Sequence, residues 1–441
     1  MKKIIDLHNK LTAEITQDFS TKYPQILLEP VTLEPKPSKF KPEPGVELPQ
    51  EEPEVIDWPA HDGKIHVTFV APYYNATGLY RSILPMLHLN QTETHSAIIT
   101  NINKFELMNQ NKEQPIELFD QIIAWSHYMV FPRIYSPEMV QIIKDIRQVN
   151  PNVFLLADID DNNFTLPVNH HLRYVLTNEM KKLELDTLSH YDGIIGTNEK
   201  LLELYYNKMQ EHSPDNKLQY AVLPNLMSKL TVEDLPKRTT ELKTDVTRIL
   251  LTLNPSQFHD INPFRKVLKA VKDKYKNKVE IIVFGWDGKV FGPTGKVDMN
   301  KNALKGVEHT YIPPVPLDDY FKTLHTINPD FALMPLNTTN AESLAFNQSK
   351  SSHKFLQYSM LGIPVIAQDI STYTGNNYEG PAIDNETCLL AKTTQDWLTQ
   401  IDKFVNDKQL AKKLAQNATQ LTENEYTYND VNIEKTKRVF N

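Results

Sequence analysis

The sequence predicts an α/β protein with two doubly wound domains in succession, and three observations support this fold class. The chain has 441 residues, of which 40% are hydrophobic. This length is greater than that of a domain with one compact core, and it is sufficient for two domains. Short apolar runs typical of buried strands alternate with amphipathic segments typical of helices, as in parallel sheets covered on both faces. A polar stretch at 228–245 separates two such series, so a linker is expected there.

The individual elements are predicted from apolar runs, helix caps and turn residues. In the first series, strands are expected at 65–70, 96–100, 121–125, 129–131, 153–159 and 193–196, and helices from 77, at 137–148 and at 199–206. In the second series, strands are expected at 248–253, 279–284, 331–334 and 364–367, and helices at 264–275, 317–325, 352–361 and 394–406.

These elements divide the chain into four regions. Residues 1–60 are expected to be an N-terminal extension with a proline-rich arm, because nine of the 29 prolines fall between Pro24 and Pro59 and proline sustains neither a helix nor an inner strand. The N-terminal domain is expected at 61–235 and the C-terminal domain at 246–420. A final helix at 421–441 is expected to pack back toward the N-terminal domain.

Composition excludes several classes of function. Cys388 is the one cysteine, which excludes an internal disulfide framework and a thiolate metal cluster. The formal net charge of -8 gives no general attraction to nucleic acid or anionic lipid, so nucleic acid is a less favoured partner. No apolar run approaches the length of a transmembrane segment, and the first residues lack the apolar core of a signal peptide. A cytoplasmic location is therefore expected.

The most informative segment is 346–366, which combines a polar loop, a serine N-cap, three helical turns, a glycine stop and a proline before a strand. The backbone N–H groups at such a helix start, with Lys350 and Lys354 beside them, form a place that binds phosphate. Lys354 and Gln357 share one helical face, so Gln357 can meet a ribose hydroxyl while Lys354 meets a diphosphate. Taken alone, a capped surface helix with solvated lysines is an equal alternative.

The segment resembles the donor-site helix of a large family of retaining GT-B glycosyltransferases, whose motif is usually Glu, seven residues, Glu, then Gly-x-Pro-Val. In the branch that it resembles most, the loop reads approximately Phe-Asn-x-x-Lys-Ser-x-x-Lys-x-Leu-Glu-Tyr. The matching residues are Phe346, Asn347, Lys350, Ser351, Lys354, Leu356, Tyr358, Gly362, Pro364 and Val365. Two positions depart from the motif, since Ser349 stands in place of the first glutamate and Gln357 in place of the second, so the usual carboxylate contacts are missing.

The resemblance extends in register from 64 to 412. Segments 130–138 and 158–164 resemble the branch's Phe-Gln-Arg-x-Tyr-x-Pro-Glu and Asp-Ile-Asp-Asp-Asp-Leu-Phe motifs, and His259-Asp260 falls where the branch has a Thr-His…Asp loop. Several motifs that keep their spacing are more specific than any one of them.

The resemblance implies two Rossmann-like domains with a deep cleft, and the transfer of a sugar from a nucleotide-diphosphate-sugar to an acceptor hydroxyl. It implies retention of configuration without a metal or a protein nucleophile, with a UDP-sugar as the favoured co-substrate and no other cofactor. Lys354 is then a catalytic residue that stabilises the leaving diphosphate. The predicted donor-binding residues are Ser349, Lys350, Ser351, Ser352, Gln357 and His259; for His259 a structural role is the alternative.

The acceptor side is predicted from residues at the ends of N-terminal strands. In many relatives a histidine occupies the place of Asp160 near the reacting sugar, so Asp160 is predicted to contact the donor sugar or to position or deprotonate the acceptor hydroxyl, with loop capping as the alternative. A metal held by an Asp-x-Asp pair of Asp158 and Asp160 is less favoured. Gly78, Arg81 and Arg133 are candidate acceptor contacts; for Gly78 and Arg81 the alternative is an ordinary βα turn with a solvent-facing arginine.

The resemblance leaves the acceptor open. A cell-surface glycan is the favoured class, and a modified base of phage-type DNA or a protein side chain are alternatives. A relative that binds nucleotide-sugars without turnover is a second alternative, because both glutamates of the motif are absent.

Overall fold

The computed structural model describes residues 63–71, 75–101, 117–133, 136–168, 170–174, 176–216, 218–236, 238, 246–291, 297–375 and 380–441. The predicted arm at 1–60 lies outside these residues. Two six-stranded sheets, each with all its strands parallel, organise the described chain. This confirms the predicted α/β class with two Rossmann-like domains.

The N-terminal sheet has the strand order β2-β1-β3-β4-β5-β6. Its strands are β1 (Ile65–Ala71), β2 (His95–Asn101), β3 (Tyr128–Pro132), β4 (Phe154–Ile159), β5 (Gly193–Gly196) and β6 (Gln219–Val222). The order reverses between β1 and β3, where open α/β sheets leave a crevice for ligands beyond the carboxyl ends of their strands.

Helices cover both faces of this sheet. Helix α1 consists of the α-helical pieces Ala76–Gly78 and Leu84–Leu89, joined by a π-helical turn at Leu79–Ile83. The others are α2 (Glu117–Trp125), α3 (Pro137–Val149), α4 (Asn178–Leu188) and α5 (Glu199–His212).

The C-terminal sheet has the strand order β11-β8-β7-β12-β13-β14 and reverses between β7 and β12. Its strands are β7 (Thr247–Thr252), β8 (Val279–Phe284), β11 (Thr310–Ile312), β12 (Phe331–Met334), β13 (Val365–Gln368) and β14 (Leu389–Ala391), and an antiparallel pair β9 (Lys289–Phe291) and β10 (Val297–Asn302) lies between β8 and β11 in sequence. The helices are α6 (Phe258–Tyr275), α7 (Leu317–Ile327), α8 (Ala341–Gln348), α9 (His353–Met360), α10 (Ser371–Thr374) and α11 (Thr394–Asn406).

The end of the chain returns to the N-terminal domain. Helix α12 (Lys408–Glu425) packs along α9, and α13 (Asp430–Arg438) packs against α1. Between them, Tyr428 stacks on His88 with ring centroids 4.1 Å apart. Phe440 meets Phe69 of β1 edge-on at 5.8 Å. These buried aromatic contacts tie the C-terminal residues to the first βα unit.

Two local predictions were wrong. Residues 121–125, expected as a strand, belong to helix α2, because a short apolar run has no period of its own and the neighbouring tertiary structure decides. The serine cap of α9 also differs: the Ser352 side chain makes no capping bond, and Ser351 Oγ instead accepts from His353 N at 3.2 Å. The glycine stop is as expected, since Gly362 has φ of +63° and Ile363 N donates to Tyr358 O, as in a Schellman ending.

Candidate functional site

The carboxyl edges of the two sheets face each other. Asn162, which follows β4, donates from Nδ2 to Ser349 Oγ at 3.0 Å, and Ser349 ends helix α8. Gln357 of α9 donates to Tyr80 of α1 at 2.9 Å. The loops that follow the strands therefore meet at the seam between the domains, and the candidate site is built from them.

Lys350 is held by a buried aspartate. Its Nζ lies 3.2 Å from Asp260 Oδ2 and 4.9 Å from the centre of the Phe346 ring. Burial opposes ionisation of Asp260, yet Lys350, His259 and the N–H of Asn337 together hold the pKa of that carboxyl below its usual value. An ionised Asp260 fixes the Lys350 ammonium at the edge of the sheet, so this lysine does not extend into bulk solvent.

Lys354 lies one turn further along and has neutral partners. Its Nζ donates to the carbonyl of Thr252, at the end of β7, and to Gln257 Oε1, at 2.9 and 3.2 Å. Burial, and then the nearby charge of Lys350, lower the pKa of Lys354 to about 8. An anion that enters here meets an ammonium with no carboxylate in direct contact.

The chain between α8 and α9 carries backbone donors as well. Within the described residues, the N–H groups of Ser351 and Ser352 donate no hydrogen bond. Both groups precede the first turn of α9, where the helix dipole favours negative charge. Two lysines and two N–H groups that donate no bond within the described residues are therefore close together, which is the arrangement expected of a phosphate-binding loop.

Gln357 is engaged by tyrosines from both domains. Its Nε2 donates to Tyr80 and its Oε1 accepts from Tyr320 OH of α7 at 3.2 Å. Burial raises the pKa of both phenols well above the usual value, so both remain donors at neutral pH. The ribose contact predicted for Gln357 stays a prediction, and it requires a rearrangement of these bonds.

His259 is buried in the first turn of α6. Its Nδ1 donates to Ser256 O at 2.9 Å, and its Nε2 lies 3.2 Å from Asp260 Oδ1. The ring packs against Phe346 with centroids 5.4 Å apart. Burial lowers the pKa of His259. These contacts fit the structural alternative better than the predicted contact with the donor.

Two carboxylates stand on the N-terminal side of the seam. Asp160 is one-third exposed, and its carboxylate accepts from Thr77 Oγ1 at 3.4 Å. Asp161 is exposed to water, but dense surrounding protein and the charge of Asp160 raise its pKa to about 6, while Arg133 and Lys350 oppose that rise. The influence of Lys350 shows that the two domains bring their charged groups within electrostatic range of each other.

The position of Arg81 contradicts the alternative of a solvent-facing arginine. Arg81 is only 2% exposed, and its guanidinium forms a two-pronged pair with Asp158, with Nη2 at 2.6 Å from Oδ1. It also donates to the carbonyl of Leu223 and to Asn225 Oδ1. Arg81 therefore does not face solvent, and its contact with an acceptor stays a prediction. Both oxygens of Asp158 accept from Arg81, and among the described residues no group of three or more His, Cys, Asp or Glu is placed to hold a metal.

Arg133 and Gly78 support the same loops. Arg133 donates to Tyr205 OH at 2.9 Å and to the carbonyl of Asp161, and lies 3.5 Å from Glu184 and 3.7 Å from Asp160. Arg133 thus holds the loop that carries Asp160 and Asp161, here called the acidic loop. Gly78 is buried within α1, and Asn75 caps that helix by accepting from Gly78 N. Acceptor contact by either residue remains a prediction.

The fold of this chain is similar to that of solved proteins. No protein-family model and no curated protein matches the chain. A solved α-glucosyltransferase in complex with UDP-glucose and DNA containing an abasic site gives a TM-score of 0.57 at 8% identity, over 86% of this chain and 99% of that one. Sucrose-phosphate synthase from Thermosynechococcus elongatus gives 0.53 at 11% identity, over 86% and 98%. Both neighbours are glycosyltransferases of the GT-B type.

The chain has the GT-B fold. Identities this low establish the arrangement of two Rossmann-like domains, and the chemistry has to be argued from the site. No helix in the described part of this GT-B chain is long and apolar enough to cross a bilayer.

Several residues at or beside the seam of the GT-B fold were not among the predicted site residues. These are Tyr80, Asn162, Glu184, Asn198, Asn225 and Tyr320, which make the bonds that hold the predicted loops. One signal was available: Asn162, Asn198 and Asn225 each follow closely after a strand of the N-terminal sheet, and loops at the carboxyl ends of such strands meet the ligand side.

Proposed function

We propose that this protein is a glycosyltransferase that moves a sugar from a nucleotide-diphosphate-sugar to an acceptor hydroxyl. One observation carries the proposal: in a GT-B fold, Lys350 and Lys354 and two available N–H groups lie together at the carboxyl edge of the C-terminal sheet. Negative charge grows on the departing diphosphate as the sugar leaves, and fixed positive groups at that point lower the barrier. Lys354, which has no carboxylate in direct contact, is the group we assign to the leaving diphosphate.

The acceptor side is assigned to the acidic loop. In the proposed reaction the bond between the anomeric carbon and the diphosphate oxygen breaks, a bond to the acceptor oxygen forms, and the acceptor proton passes to the departing phosphate oxygen. Retention, a reaction without metal and a UDP-sugar as the favoured co-substrate belong to the proposal through the motif resemblance. Asp160, part-exposed and hydrogen-bonded to Thr77, is proposed to orient the acceptor hydroxyl or to contact the sugar.

A glycan is the acceptor class that we favour. The net charge of -8 opposes docking of a polyanion, since DNA binding gains most of its strength from neutralised phosphates. The DNA-bound α-glucosyltransferase neighbour nevertheless keeps modified DNA as a second candidate. Measurement of binding to duplex DNA at several salt concentrations separates the two, because a steep fall in affinity with salt is expected only of a DNA acceptor.

The proposal is tested by donor turnover. We expect release of nucleoside diphosphate from at least one member of a panel of nucleotide-sugars, and Lys354→Ala is expected to lower that rate at least about tenfold with folding intact. Lys266→Ala removes an exposed lysine from the same domain and is the matched control. No release from any donor would favour a binding protein without turnover, and near-normal turnover by Lys354→Ala would remove this residue from the mechanism.

A further inference from the structure

Asn198 of the N-terminal domain reaches into the loop assigned to the diphosphate. It follows β5 and caps helix α5, because its Oδ1 accepts from Leu201 N at 3.0 Å. Its Nδ2 donates across the seam to the carbonyls of Ser349 and Lys350, at 3.0 and 3.3 Å, and lies 3.1 Å from Thr197 Oγ1. The side chain is 4% exposed, so water does not easily replace these bonds.

The contact with Lys350 O has a consequence for the next residue. The C=O of Lys350 and the N–H of Ser351 belong to one planar trans peptide and point in opposite directions. Asn198 attracts the carbonyl and thereby turns the N–H away from itself. That N–H has no acceptor among the described residues, so it remains available to an anion.

The neighbouring carbonyl is held in the same way. Asn198 binds Ser349 O, and the N–H of the same peptide, from Lys350, donates to Asn347 O at 3.3 Å. Both peptides at the start of the loop are thus oriented from the opposite domain. Asn225 adds a weaker bond of 3.3 Å to Ser351 Oγ.

We infer that Asn198 is a positioning residue for the diphosphate, which orients the Ser351 N–H from across the domain seam. The inference rests on the proposed donor site and adds to it a dependence on the N-terminal domain. Phosphate binding by the C-terminal loop is complete only while Asn198 is docked on it. The nucleoside part of the donor is not affected by this contact.

Two substitutions remove the Nδ2 donor of Asn198 and keep an oxygen that caps helix α5. Asn198→Asp keeps an oxygen that caps α5, since Asp and Asn are equally good caps, but cannot donate to the two carbonyls. Asn198→Ser also keeps a capping oxygen and adds no charge. Asn340→Asp is the matched control: Asn340 is an exposed N-cap of α8 that accepts from Ser343 N, so this change adds the same charge and removes no donor across the seam.

The measurement is calorimetric binding of UDP, inorganic pyrophosphate and uridine to the full chain. Both Asn198 variants are expected to bind UDP and pyrophosphate about tenfold more weakly, which corresponds to about 1.4 kcal/mol, with uridine affinity unchanged. Loss of the buried bonds is also expected to lower the midpoint of thermal unfolding, so binding is measured well below that midpoint. The control is expected to match the wild type.

Three results would overturn the inference. Unchanged pyrophosphate affinity in both variants refutes the role of Asn198 alone, while the donor site stands. An equal loss for UDP, pyrophosphate and uridine indicates general support of the domain seam and not orientation of a phosphate donor. A wild-type protein that binds neither UDP nor pyrophosphate refutes the donor site, and the inference with it.

Discussion

The low pKa of Lys354 leads us to expect that diphosphate binding depends on pH. Its side chain is half-buried, its Nζ donates to Thr252 O and Gln257 Oε1, and Lys350 lies nearby. Removal of the ammonium from water, and then the charge of Lys350, penalise the charged form, so the pKa falls from 10.5 to about 8. The ammonium is present below that pH and is lost as pH rises through it. Affinity for a diphosphate should fall in the same direction.

The magnitude follows from the protonated fraction. With a pKa of about 8, roughly nine-tenths of Lys354 is charged at pH 7 and roughly one-tenth at pH 9. If the neutral amine contributes little, the dissociation constant of UDP should rise about tenfold between these values. The terminal phosphate of the ligand does not cause this change, since its own second pKa is about 6. Bound diphosphate should also raise the pKa of Lys354, so binding at pH 8 should take up a fraction of a proton.

The assay is titration calorimetry at pH 7, 8 and 9 in buffers of different ionisation enthalpy. Lys354→Arg is the control, because a guanidinium stays charged throughout this range. We expect the variant to bind UDP with an affinity that changes little with pH. Equal affinity of the wild type at pH 7 and 9, or the same pH dependence in Lys354→Arg, would refute the assignment of this lysine to the phosphate.

Three further predictions concern the seam and the acidic loop. Arg81→Met should lower the free energy of unfolding in urea by about 3–5 kcal/mol, because it leaves Asp158 buried and unpaired; partial recovery in a double variant with Asp158→Leu would support this cause, and a loss below about 1 kcal/mol would contradict it. Tyr80→Phe removes the inter-domain bond to Gln357 and should cost about 1 kcal/mol of stability, and an unchanged thermal midpoint would show that the bond is dispensable. Asp160→Asn should reduce turnover at least about tenfold while UDP affinity is retained, whereas normal turnover would leave loop capping as its role.

The sequence alone determined the architecture of this protein. The alternation of apolar runs and amphipathic segments depends on residues within one helical turn or one strand, so the positions of helices and strands can be predicted from the sequence. The strand at 279–284 and the helix at 394–406 were predicted to the residue and observed as Val279–Phe284 and Thr394–Asn406. The glycine that ends helix α9 was also predicted, because a helix ending of this kind depends on a few adjacent residues.

Only the tertiary structure decided which side chains are free to bind. Arg81 and Lys354 each lie within the first turns of a helix near the cleft, and the sequence treats them alike as cations. Arg81 forms an ion pair with Asp158, which is 77 residues away in the chain. Lys354 instead donates hydrogen bonds to neutral oxygens of β7 and the loop after it. Ion pairing and burial depend on distances between residues far apart in sequence, and no local pattern encodes those distances.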